Sequence, residues 1–257
     1  MQMLKENSGL LSGSTIKLIA CILMAIDHAG LILFPSFMPL RAIGRLAFPL
    51  FAYFIAEGCR YTRNRLRHLA LIASVGVVYF AFYYFAFGTV FASVFLTFTF
   101  SILLIYLADA MKAYMLSEPA FYKPLLCAIG FLAVIGSLWV LFESIQFDYG
   151  FFGMLAPVAA GIFDVRGTEV PRAISILSSK PFRILWLGIC LIPICLDNRH
   201  GVINIGAFAL PVQYLCLLAL PILLLYNGKA GTRKLKYFFY LFYPLHLAVL
   251  EGIAFFI

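Results

Sequence analysis

Charge is what this sequence has least of. Asp, Glu, Lys and Arg together make 12% of its 257 residues, against about 25% in an ordinary water-soluble domain. Hydrophobic residues make 64%, and the mean hydropathy is +1.01. These values exclude a soluble globular domain, a disordered chain, a collagen-like chain and a secreted disulfide scaffold. Metal spacing is also missing: there is no H-x-x-x-H, no Asp-rich run and no C-x-x-C, so no metal is expected. GxGxxG, the phosphate-binding P-loop and G-x-S-x-G are absent too. The six cysteines lie in or beside apolar stretches and read as small core residues. Near the start, the apolar run Leu18–Ile26 is interrupted by Asp27 and His28, apolar sequence resumes, and no small-x-small cleavage site follows. It reads as an uncleaved first span rather than a signal peptide. Internal repeats and low-complexity segments are lacking.

What remains is an all-α, polytopic integral membrane helix bundle. A span takes roughly 20 residues, so about nine fill the chain as a single domain, 1–257. Apolar stretches place them at 16–34, 38–59, 69–88, 90–111, 124–145, 150–165, 184–197, 202–226 and 237–257. Gly88-Thr89 makes a tight hairpin of the third and fourth, and Asp148-Tyr149-Gly150 is a turn by composition. The basic residues gather in 60–68, 112–123, 165–183 and 227–236, with Lys5 before the first span. With nine spans these regions share one side, and the opposite loops hold little beyond Arg199, with Arg41 near a span end. The positive-inside bias then puts the N-terminus in the cytoplasm, in a multi-pass inner-membrane protein. It also accounts for the net charge of +8 without nucleic acid as a partner.

An ionisable group at membrane depth is costly and marks a functional site by default. The first span carries Lys17, Asp27 and His28. Eleven residues separate Lys17 from His28, which returns to within about 20° of the same helix face and about 16 Å along the axis. The stripe suits a ligand entering from the cytoplasm with an anionic tail and a reactive end near the imidazole. The second span carries Arg41, Arg45 and Glu57. Pro49 cannot donate to the carbonyl of Arg45, so a kink is expected there. Antiparallel packing brings Arg45 to the depth of Asp27, as a pair that either ties two helices or serves chemistry. In the last span His246 follows Tyr243 on nearly the same face, and Pro244 frees the carbonyl of Tyr240. Glu143, Asp148 and Asp164 read as interfacial, His68 and His200 as solvated. On these residues alone, proton abstraction and ion translocation stand nearly level.

Four blocks carry a resemblance. STIKLIACILMAIDHAG with LRAIGRLAFPLFAYFIAEG and RYTRNR, then FDYGFFGMLAP, ALPILLLYNGKAG and KYFFYLFYPLHLAVL resemble the TraX family of membrane proteins over nearly the whole chain. That family takes its name from a conjugation protein that acetylates the N-terminus of pilin. More distantly the chain is similar to the acyltransferase-3 class, with Lys17 where that class has an Arg and His28 where it has a His. Lys is a point charge and not a planar fork, so the donor is not expected to be held identically. The resemblance implies an acetyltransferase that takes acetyl-CoA from the cytoplasm. Its acceptor would be an amine or hydroxyl of an envelope polymer, glycan or pilin-like protein. His28 would be general base, Asp27 its orienting acid, and Arg45 an oxyanion donor or the partner of Asp27. Lys17, Arg60 and Arg63 would meet the acyl-CoA phosphates. Glu57, Tyr243 and His246 would line the acceptor side. The alternative is a proton-coupled transporter using Asp27, His28 and Arg45. A third reading is a non-catalytic membrane partner in surface-appendage assembly.

Overall fold

The computed structural model describes residues 9–117, 120–164, 172–196, 201–205, 208–232 and 235–256. Helices dominate. Among the described residues, five are long and apolar enough to cross a membrane: Gly13–Ile32, Met38–Tyr61, Arg65–Ala86, Val94–Met115 and Lys123–Ser144. They coincide with the first five expected spans. Among the described residues the count of about nine is not reached by length, because several later apolar helices are shorter. Gly150–Gly161 has 12 residues and Lys180–Cys195 has 16.

The chain divides into two compact units, one of Met1–Phe54 with Leu187–Ile257 and one of Ile55–Trp186. In the first, α1 (Gly13–Ile32) starts at Ser12, whose hydroxyl accepts from the amide of Thr15. The second span is two helices, α2 (Met38–Gly44) and α3 (Ala47–Tyr61). The break at Arg45–Leu46 is the kink expected from Pro49, which has no N–H to continue the ladder. The eighth expected span departs from the all-α reading. Residues Val202–Ile205 (β3) and Phe208–Pro211 (β4) pair antiparallel, Val202 opposite Pro211, and only then does a 3-10 helix (Val212–Leu218) lead into α10 (Ala219–Leu224). Val202, Ile203 and Ile205 are β-branched and Pro211 cannot donate within a helix, so VINIGAFALP favours a hairpin over a helix. The unit closes with α11 (Lys236–Phe256), packed along α1. Ile16, Ala20, Leu50, Leu191, Val212 and Leu223 are its buried core.

In the second unit, α4 (Arg65–Phe87) is capped by the Asn64 side chain, which accepts from the amide of Arg67 at 2.8 Å. It ends at Gly88, whose φ of 66° is left-handed. The hairpin to α5 (Val94–Ser117) passes through β1 (Phe91–Ala92). That short strand pairs in parallel with β2 (Gln146–Phe147), between α6 (Lys123–Ser144) and α7 (Gly150–Gly161). The expected turn before α7 is present, with Tyr149 and Gly150 at φ 61° and 58°. α8 (Arg172–Leu177) and the start of α9 (Lys180–Cys195) complete the unit. The core lies between α5 and α7, where the Ser101 hydroxyl donates to the carbonyl of Met154 at 2.7 Å. By contrast α4 and α6 turn Val78, Phe85, Leu132 and Val140 outward. An apolar surface of that extent is what lipid requires and water does not tolerate.

Candidate functional site

Asp27 anchors the polar residues of the first unit. Its Oδ2 accepts from Arg41 Nη1 at 2.8 Å, and Arg45 Nε lies 3.6 Å from its Oδ1. Arg41 Nη1 also donates to the Asp27 carbonyl at 3.1 Å. The Asp27–Arg45 pairing expected from antiparallel depth is therefore present, but Arg41 makes the closer contact. Arg45 is 3% exposed at the end of α2. Two glycines let α1 and α2 approach this closely. A Cβ added to Gly44 would overlap that of Asp27, and one added to Gly30 would come within 2.7 Å of the Leu40 Cβ. Such small-residue contacts are how helices close on each other in lipid.

One residue on, His28 faces the last helix. Its Nδ1 lies 3.0 Å from the carbonyl of Met24 and 2.9 Å from His246 Nε2. His246 Nδ1 lies 2.8 Å from the carbonyl of Phe242, whose ring stacks on the imidazole. The Tyr243 ring meets His28 edge-on, with centroids 6.2 Å apart. Thus Tyr243 and His246, read from sequence as acceptor-side residues, stand beside His28. Lys17 lies three turns before His28 on α1, with Nζ 5.0 Å from the ring centre of Phe54 and 5.9 Å from that of Phe239. α11 follows the Lys17–His28 stripe: Phe239 meets its beginning and His246 its end. The first and last helices therefore run side by side in the same direction.

The other expected site residues belong to the second unit. Glu57, buried on α3, is paired with Arg183 Nη1. Arg183 Nε donates to the carbonyl of Ala160 at 2.8 Å, and Nη2 lies 3.5 Å from Asp164 Oδ2. Arg60 Nη1 is 3.8 Å from Asp164 Oδ1. Lys112 Nζ donates to the carbonyls of Ile162 and Asp164 and lies 3.0 Å from Asp109 Oδ1. Cations here serve the C-terminal end of α7, where helix carbonyls have no intrahelical donor. Arg65 Nη2 reaches Asp109 Oδ2 at 2.5 Å. Ala56, Cys59, Ile105 and Gly161 join Arg60, Asp109 and Asp164 around a small polar pocket. Arg63 is exposed.

Three sequence readings change here. Arg183 stands in a stretch that reads as a plain basic loop, yet it is 2% exposed, because Glu57 and the end of α7 claim its guanidinium. Asp164 is no plain interfacial residue, since Arg60 and Arg183 both face it. His68 is not merely solvated: its Nδ1 is 2.9 Å from the hydroxyl of Tyr106. Asp109 drew no attention in the sequence, although its i,i+3 spacing to Lys112 is an ion-pair signal. His200 and Arg199 lie outside the described residues.

Comparison with known proteins places this geometry in context. The chain is 27% identical over 250 residues to a probable fimbrial assembly protein, FimC of serogroup H1, from Dichelobacter nodosus, an overlap of 93% of this chain and 94% of that protein. No solved structure matches it. The family model described as TraX protein matches residues 12–254, and the chain belongs to that family.

Proposed function

We propose that the protein is a membrane-embedded acetyltransferase of the bacterial inner membrane. It moves an acetyl group from cytoplasmic acetyl-CoA to an amine or hydroxyl of a pilin-like protein or envelope polymer. The observation that carries this reading is the setting of His28: an imidazole held against His246, one residue from a buried Asp27–Arg41–Arg45 cluster. Membership of the TraX family, for which the sequence resemblance implies pilin acetylation, and the fimbrial assembly relative both favour an acceptor on a surface appendage. The parallel course of α1 and α11 favours an odd number of crossings, and the basic loops favour a cytoplasmic N-terminus.

In this mechanism Lys17 on α1 meets the acyl-CoA phosphates. The thioester reaches toward His28, which removes the acceptor's proton as its nitrogen or oxygen attacks the carbonyl carbon. Such general-base help is worth typically 10²–10⁴-fold. Arg41 and Arg45 hold Asp27 and supply positive charge beside the site, where the tetrahedral oxyanion develops. The test is labelled acetyl-CoA given to the purified protein with envelope extract, the labelled product being identified by mass spectrometry. Wild-type protein transfers label, and His28→Ala lowers the rate by about 10²–10⁴-fold. Near wild-type transfer by that variant removes the general-base role.

The broken helix at Arg45–Leu46 favours one other reading, a proton-coupled transporter, since unwound helices beside charged groups build transport sites. A transporter would consume no acetyl-CoA.

A further inference from the structure

The hydrogen bonds around the two histidines fix where their protons sit. A carbonyl oxygen only accepts, so His246 Nδ1, 2.8 Å from the carbonyl of Phe242, carries the hydrogen and donates it. A neutral imidazole has one N–H, which leaves His246 Nε2 with a lone pair. That lone pair points at His28 Nδ1, 2.9 Å away, and the same nitrogen faces the carbonyl of Met24 at 3.0 Å. Two acceptors converge on one nitrogen, so His28 Nδ1 carries its ring's hydrogen and shares it between them. The lone pair of His28 is then on Nε2, the atom turned away from both partners.

We propose that His28 Nε2 is the atom that takes the acceptor's proton, and that His246 is a positioning residue that holds the His28 ring and shares the charge it acquires. The role rests on the acetyl-transfer reading above. When the acceptor's nitrogen or oxygen bonds to the acetyl carbon, its hydrogen passes to His28 Nε2. The carbon–sulfur bond breaks and its electron pair leaves on the sulfur of CoA. His28, now an imidazolium, strengthens its Nδ1–H bond to His246 Nε2, because charge-assisted hydrogen bonds are roughly twice as strong as neutral ones. The Nδ1 hydrogen can cross to His246 Nε2, which puts the charge on His246 while its own Nδ1–H stays on the Phe242 carbonyl. Its return, and delivery of the Nε2 proton to the CoA thiolate, restores both rings. This arrangement is the orienting logic of a nucleophile–base–third-group triad, with an imidazole in the third place.

The experiment combines tautomers and kinetics on the full-length protein in detergent. With histidine labelled in its ring nitrogens, magnetic resonance reads which nitrogen of each ring is protonated, and the His28 and His246 signals are assigned by their loss in single variants. Both rings are expected in the Nδ1–H form. His246→Leu removes the acceptor, and kcat for acetyl transfer is expected to fall about 10²-fold with KM for acetyl-CoA nearly unchanged. His246→Gln offers an amide oxygen near the place of Nε2 and is expected to stay within about tenfold of wild type. Hydrogen on His28 Nε2 in the wild type overturns the pairing whatever the activity, and so does a His246→Leu protein with wild-type kcat. A wild-type protein with the expected tautomers but no acetyl transfer overturns the acetyl-transfer reading instead and leaves the proton assignment standing.

Discussion

Each unit of this protein sets a carboxylate between two guanidiniums, and the surroundings of the two clusters differ. Asp164 has Arg60 and Arg183 about it, and Asp27 has Arg41 and Arg45. Around Asp164 the remaining donors are spent on structure. Arg183 also takes Glu57 and the carbonyl of Ala160, and Lys112 takes the carbonyls that close α7. Next to Asp27 along α1 is His28, whose Nδ1 meets His246 Nε2, and among the described residues no hydrogen bond engages its Nε2. The difference teaches that a buried charge cluster in a membrane helix bundle is not by itself a reactive centre. What separates the two is the presence of a group able to gain and lose a proton beside it.

The sharpest way to break this comparison is at Arg183. Arg183→Met takes the guanidinium from Glu57 and Asp164 and is expected to lower stability by about 3–5 kcal/mol, as losing one partner of a buried ion pair does. Thermal unfolding in detergent reads it, and adding Glu57→Gln should recover part of the loss. If instead the single variant unfolds as wild type does while acetyl transfer disappears, the second cluster is chemical and the contrast fails. His28→Ala should show the opposite pattern, with transfer lost and the melting temperature little changed.

A smaller effect sharpens the first cluster. Gly44→Ala places a methyl group against Asp27 and should cost about 1–3 kcal/mol by overpacking, while driving α2 off α1 and lowering transfer as well. A melt indistinguishable from wild type would mean that the two helices do not touch there. The smallest is Asn64→Ala, which removes the N-terminal cap of α4. It is expected to cost about 1 kcal/mol with transfer unaffected, which calibrates what a purely structural change in the second unit looks like.

Much of the architecture was legible because one physical rule dominates it. Lipid demands long apolar helices, and the first five spans announce themselves. The hairpin VINIGAFALP was not legible, because a hydropathy window sees an apolar strand and an apolar helix alike. Pairing of Asp27 with Arg45 followed from antiparallel depth along adjacent spans, where few arrangements exist. Arg41 was harder, since its position near a span end set it apart from the depth of Asp27. Arg183 was hidden in a run of basic residues that the positive-inside bias already explained. The contact of His28 with His246 could not be read at all. It joins residues 218 positions apart, and helix periodicity says which face a residue occupies but not which distant helix will cover that face.

The seating of α11 along α1 gives biogenesis of the protein an order. Asp27 meets Arg41 after 14 residues of synthesis, so the first ion pair is available as soon as α2 follows α1. His28 waits 218 residues from its own synthesis for its partner imidazole, roughly 10–40 s at ribosomal speeds of about 5–20 residues per second. During that interval the nascent chain holds its charges neutralised but its proton-handling pair incomplete. If His28 and His246 act together as proposed, the centre is dormant until α11 has been laid into place.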